Sequence, residues 1–130
     1  MSIDSLGNFY TIIRNGVAAG KTTVTAPYSK MKQRISEILK DEGFIRDFTV
    51  EGDGTHKTLK LALKYVNGES VIHEIKSLST PSKPLYRNVG AVPSVIGGLG
   101  VVLLTTSKGI MTDKQARSLQ VGGKLLCQLW

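Results

Sequence analysis

Cysteine is nearly absent from this chain of 130 residues. The single thiol, Cys127, excludes an internal disulfide framework and cannot by itself make a zinc site. It lies in an apolar, strand-like run and is read as a buried structural residue. Histidine is scarce too. His56 falls in a polar turn and His73 in a strand-like stretch, and neither has an HxxxH, ExxH or CxxC neighbour, so no transition-metal site is expected. Apolar runs are too short to cross a bilayer, and the N-terminal MSIDSLGNFY carries an acid where a secretory signal would have basic residues. A cytoplasmic location is expected.

Catalytic signatures are missing as well. There is no G-x-S-x-G elbow for a nucleophilic serine. Gly97, Gly98 and Gly100 precede a strand, whereas a dinucleotide fingerprint follows a strand and opens a helix. Gly122-Gly123-Lys124 ends like a phosphate loop but lacks the first glycine and the Ser/Thr after lysine. No catalytic residue, metal or cofactor is expected, and the chain reads as a non-enzyme.

The most informative shortage is of carboxylates. Residues 1–80 carry 11 Lys+Arg against 9 Asp+Glu, net +2, while residues 81–130 carry 6 against the single acid Asp113, net +5. Most of the overall charge of +7 therefore sits in the C-terminal part. Such a segment attracts a polyanion, and phosphate backbones are the commonest partner. The alternative is a basic face that serves solubility alone.

What is present organises into an α+β pattern. Leu6, Phe9, Tyr10, Ile13 and Val17 form one helical stripe that ends near Gly16 to Gly20. After TTVTAP, Ser29 caps a second helix with Met31, Ile35, Ile38 and Leu39 expected on its core face and Gly43 at its end. From Phe44 the period becomes two. FIRDFTV, TLKLALKY and VIHEIKSL read as three antiparallel strands, with Asn67-Gly68 as a hairpin turn. Two helices on a three-stranded antiparallel sheet make an N-terminal lobe, residues 1–78. STPSKP then marks a boundary. The second lobe, residues 79–130, is read as mostly β: LYRN, a loop VGAVPSVIGG, the strand GVVLLTT, a short helix and a final strand KLLCQLW. Thr112 and Gln115 form a capping box, with Met111 and Ala116 at the staple positions, so the helix starts at about residue 113.

Two places look suited to binding. Thr105, Thr106 and Ser107 offer hydroxyls to 2′-hydroxyls, base edges and phosphates, Lys108 adds a mobile charge, and Gly109 permits close approach. Tyr86 with Arg87 pairs a stacking plane with a cation. Thr/Ser-rich strand ends also serve simply to cap the next helix. At the start of the second helix Lys30, Lys32 and Arg34 oppose the macrodipole; they mark either an anion-facing surface or three solvated cations. On residues alone, a structural RNA-binding protein and a free regulatory RNA-binding module both stay open, and the third alternative, a small enzyme using the glycine loops, is disfavoured by the context of those loops.

The order GGLGVVLLTTSKGIMTDKQAR, then VGGKLLCQLW, resembles the bacterial type of the eighth protein of the small ribosomal subunit. The family pattern maps onto Gly98-Leu99-Gly100, Thr105 to Asp113, Ala116-Arg117, Gly122-Gly123 and Trp130. IRNG at Ile13 to Gly16, PYSKMK, and LKDEGFI at Leu39 to Ile45 extend the resemblance over essentially the whole chain. The resemblance implies a primary binder of the central domain of 16S ribosomal RNA that helps assemble the platform of the 30S subunit. It assigns Tyr86, Arg87, Thr105, Thr106, Ser107, Lys108, Gly109, Gly122 and Gly123 to the RNA-contacting surface, with Arg14, Asn15, Lys30 and Lys32 adding N-terminal backbone contacts. It further implies neighbours in the fifth and twelfth small-subunit proteins, and in some members repression of the protein's own operon messenger. Departures from the pattern are Thr105 for the usual serine, SIDSLGNFY at the N-terminus, and Lys83-Pro84-Leu85 before the tyrosine.

Overall fold

A computed structural model describes residues 4–91 and 100–130. The chain divides into two compact units, one of residues 8–73 and one of residues 74–130 together with those before Asn8. Gly97, Gly98 and Leu99, and most of the loop VGAVPSVIGG, lie outside the described residues.

The apolar stripe forms helix α1, Ser5–Ala18, which from Asn8 onward belongs to the unit of residues 8–73 and buries Phe9, Tyr10, Ile13 and Gly16. Helix α2, Lys30–Asp41, starts where the Ser29 hydroxyl accepts the Lys32 N–H at 3.2 Å. It stops in a six-to-one, five-to-two pattern, with Phe44 N–H on the Leu39 carbonyl and Gly43 N–H on that of Lys40. Gly43 takes φ +81° there, which only glycine adopts freely. Beneath the helices lies an antiparallel sheet in the order β1 (Thr23–Pro27), β3 (Thr58–Leu63), β2 (Ile45–Glu51). Leu59, Leu61 and Leu63 alternate inward as their spacing requires, and each contributes roughly 2 kcal/mol by leaving water.

Three expectations are corrected here. The third strand of this sheet is Thr23–Pro27 rather than VIHEIKSL: β1 runs antiparallel to β3 with Val24 opposite Leu61, and the returning segment is used elsewhere. Asn67 and Gly68 do turn a two-residue hairpin, but between the short strands β4 (Tyr65–Val66) and β5 (Glu69–Ser70), which form a separate ribbon. On α2, Met31 is 39% exposed and Lys32 is buried in its place. The inward face follows Lys32, Ile35, Ser36 and Leu39, the i, i+3, i+4, i+7 row, and position 31 lies off it.

The unit of residues 74–130 is built around β10, Gly123–Leu129. One edge of β10 pairs with β8 (Val101–Thr106), which pairs in turn with β9 (Gly109–Thr112). Its other edge is shared by β7 (Leu85–Arg87) and β6 (Ile75–Ser77). Helix α3, Asp113–Leu119, packs on β8 and β9. Its capping box is present: Gln115 N–H donates to the Thr112 hydroxyl at 3.2 Å and Thr112 N–H to the Gln115 side chain at 3.1 Å. Ala116, Val102, Leu104, Met111 and Leu125 form the core beneath it, with Leu78, Leu85 and Val121 at the margin. Cys127 is fully buried. His73 is exposed and precedes β6 instead of lying within a strand.

Candidate nucleic-acid interface

Residues opposite one another in antiparallel strands point to the same side of the sheet. Leu85, Leu125, Leu104 and Met111 form one such row across β7, β10, β8 and β9, and it faces the core under α3. The next row is therefore on the other side: Tyr86 opposite Lys124, Lys124 opposite Thr105, and Thr105 opposite Ile110. Four strands at the usual spacing carry this row over about 14 Å. Tyr86 is 64% exposed, Lys124 and Thr105 are half-buried, and Ile110 closes the end of the row.

The segment TTSKG proves to be a β-hairpin rather than a strand end running into a helix. Thr106 pairs with Gly109, leaving Ser107 and Lys108 as the two-residue turn. The Thr106 hydroxyl holds this turn from both sides, accepting the Lys108 N–H at 3.0 Å and donating to the Gly109 carbonyl at 2.9 Å. Gly109 has φ +107°, out of reach for residues with a side chain at low cost. The three hydroxyls thus separate by role. Thr106 is committed to the turn, while the Thr105 and Ser107 hydroxyls and the Lys108 ammonium have no hydrogen-bond partner among the described residues.

The two glycines at the start of β10 are required by packing. A Cβ on Gly122 would collide with the Arg87 carbonyl oxygen, and one on Gly123 with that of Thr105. Their absence of side chain lets β7, β10 and β8 close up beneath Tyr86 and the hairpin. Arg87 folds its guanidinium onto the Tyr86 carbonyl at 2.8 Å and remains exposed. Acid is kept away from this surface. Asp113, the only carboxylate of residues 81–130, is buried at 1% exposure. Its carboxylate accepts the Val102 N–H at 3.2 Å and the Arg117 guanidinium at 2.6 Å.

Tyr86, Arg87, the residues from Thr105 to Gly109, Gly122 and Gly123 therefore converge on one end of one sheet. Arg14, Asn15, Lys30 and Lys32 belong to the other unit, on α1 and α2. Arg14, Asn15 and Lys30 are exposed there. Lys32 is 5% exposed, and its ammonium donates to the Pro27 carbonyl at 3.0 Å. Burial holds its pKa below the ordinary value of 10.5. Lys124 was not singled out by the sequence. The signal that could have found it is the alternation in GKLL after the glycine pair, which places Lys124 opposite in facing to Leu125.

Among the described residues no three His, Cys, Asp or Glu side chains are grouped to hold a metal, and no helix is long and apolar enough to cross a membrane. What the fold and the surface define is an α+β protein presenting a basic, hydroxyl-bearing sheet end with an exposed aromatic ring, a surface chemically fitted to a phosphate-rich polymer. Residues 4–130 match the family described as Ribosomal protein S8. A curated relative from Marinobacter nauticus, small ribosomal subunit protein uS8, is 45% identical over 127 residues, covering 98% of this chain and 97% of the relative. The chain belongs to the ribosomal protein S8 family.

Proposed function

We propose that this protein is a structural component of the small ribosomal subunit that binds the central domain of 16S ribosomal RNA directly and helps assemble the platform. The observation that carries this reading is the continuous surface running from Tyr86 through Lys124 and Thr105 to the Ser107-Lys108 turn, without an exposed carboxylate from residues 81–130. Each part has a chemical task. Lysines 108 and 124 neutralise phosphate, the hydroxyls of Thr105 and Ser107 exchange hydrogen bonds with 2′-hydroxyls or base edges, and the Tyr86 ring offers a stacking plane. Thr106, Gly109, Gly122 and Gly123 shape this surface. Family membership and the small-subunit name of the relative support the same reading.

Arg14, Asn15 and Lys30 add backbone contacts from the other unit, and the fifth and twelfth small-subunit proteins are the proposed protein neighbours. An operon messenger that imitates the ribosomal site would compete for the same surface, and the protein would then repress its own synthesis. The location follows: cytoplasmic and ribosome-associated. Filter-binding titration against separate fragments of the small-subunit RNA tests the proposal. Retention of a central-domain fragment well above the others is expected, and equal retention of all fragments, or of none, would contradict it.

A further inference from the structure

Sharing Tyr86 with that row, the second unit has a broad groove whose lining includes Tyr86, Arg87, Asn88, Gln120, Gly122 and Gly123. The glycine pair lines it, packed too closely against the backbone of Arg87, Asn88 and Thr105 to carry side chains. Two carboxamides stand at it, Asn88 after β7 and Gln120 at the end of α3. Both are exposed, and neither side chain has a hydrogen-bond partner among the described residues. Gln120 is held there by a left-handed backbone, φ 57° and ψ 46°, while its N–H caps the helix on the Arg117 carbonyl at 3.1 Å. A bulky residue in that conformation is uncommon, and nothing in the helix end requires glutamine in particular.

We propose that this groove takes a single unstacked nucleobase of the bound RNA, with Tyr86 as its stacking surface and Asn88 and Gln120 reading its edge. This rests on the RNA-binding reading above. A carboxamide presents one donor and one acceptor side by side, matching the adjacent donor and acceptor on a base edge. Charge favours the same occupant. Arg87 flanks the groove and, among the described residues, no carboxylate lines it, so the backbone on either side of an extruded base would be attracted rather than repelled.

The test uses the full chain and the ribosomal RNA fragment it retains in the titration described above, with single abasic substitutions placed at each unpaired position. The variant is Asn88→Ala with Gln120→Gly, glycine being chosen because it accepts the left-handed backbone at residue 120. At one unpaired position the abasic change is expected to weaken wild-type binding about tenfold, stacking and edge contacts together, and binding of the double variant, which keeps only the Tyr86 stack, by about threefold. Lys108→Ala is expected to weaken binding to intact and abasic fragments alike. If the double variant loses as much as the wild type at every position, or if no abasic change matters, the groove holds no base. RNA binding itself would survive that result, because it is read independently from retention of the intact fragment and its loss in Lys108→Ala.

Discussion

The hydroxyl of Thr106 accepts the backbone N–H of Lys108 at 3.0 Å, so the residue at the end of β8 fixes the turn that displays the lysine. The same oxygen donates to the Gly109 carbonyl, and the turn is closed without help from Ser107. In a run of three hydroxyl residues, the middle one is thereby a positioning residue.

Thr106→Val removes both hydrogen bonds while keeping shape, and should cost about 1–2 kcal/mol in a urea unfolding experiment. RNA affinity should fall with it. Thr106→Ser retains the hydroxyl and should restore both quantities to near the wild-type values. A valine variant as stable as the wild type would show that the turn is held by other means.

Gly123→Ala places a methyl group against the Thr105 carbonyl oxygen, in the middle of the sheet and next to the Tyr86 row. The strands must part, at a cost of at least about 2 kcal/mol in thermal or urea unfolding. Gly90→Ala is the control, because a Cβ there meets nothing within 4 Å among the described residues. Equal stability of the two variants would contradict the close approach.

Lys32 is buried on α2, with its ammonium on the Pro27 carbonyl. Desolvation lowers its pKa from 10.5 in the folded chain. Between the lowered value and 10.5 the unfolded chain therefore holds more protons than the folded one. Stability gained from this group accordingly rises with pH through that window, and below it the full penalty of a buried charge remains. Lys32→Met lacks this titration. Measured by urea midpoint from about pH 8 upward, the wild type should gain on the methionine variant as pH rises. A difference that stays constant with pH would mean the ammonium is not desolvated.

Much of this arrangement was legible because it is local. The alternation of Leu59, Leu61 and Leu63 needs only the period of a strand, and the Thr112-Gln115 box needs only three residues of spacing. The surface residues Tyr86 and Thr105 to Gly109 were likewise readable as chemistry. Pairing was not. TVTAP has five residues and ends in proline, and only its long-range register with Leu59 and Leu61 makes it a sheet member. Ile75–Ser77 has one buried side chain in three positions, too short a pattern to say that it joins Cys127 and Leu129 rather than the first sheet. Lys32 was misplaced for a different reason: a long side chain with an apolar stem can occupy a core position when a carbonyl waits at its end. The facing of Lys124 beside Tyr86 and Thr105 likewise depends on three strands meeting.

The central claim, that the hairpin and the sheet end beside it grip RNA, is tested most directly by the salt dependence of binding to the central-domain fragment for wild type, Ser107→Ala and Lys108→Ala. Both variants should bind more weakly, but only Lys108→Ala should flatten the plot of log affinity against log salt, by about one unit of slope, because lysine alone displaces a counterion. Unchanged affinity in both variants would place the RNA elsewhere on the protein.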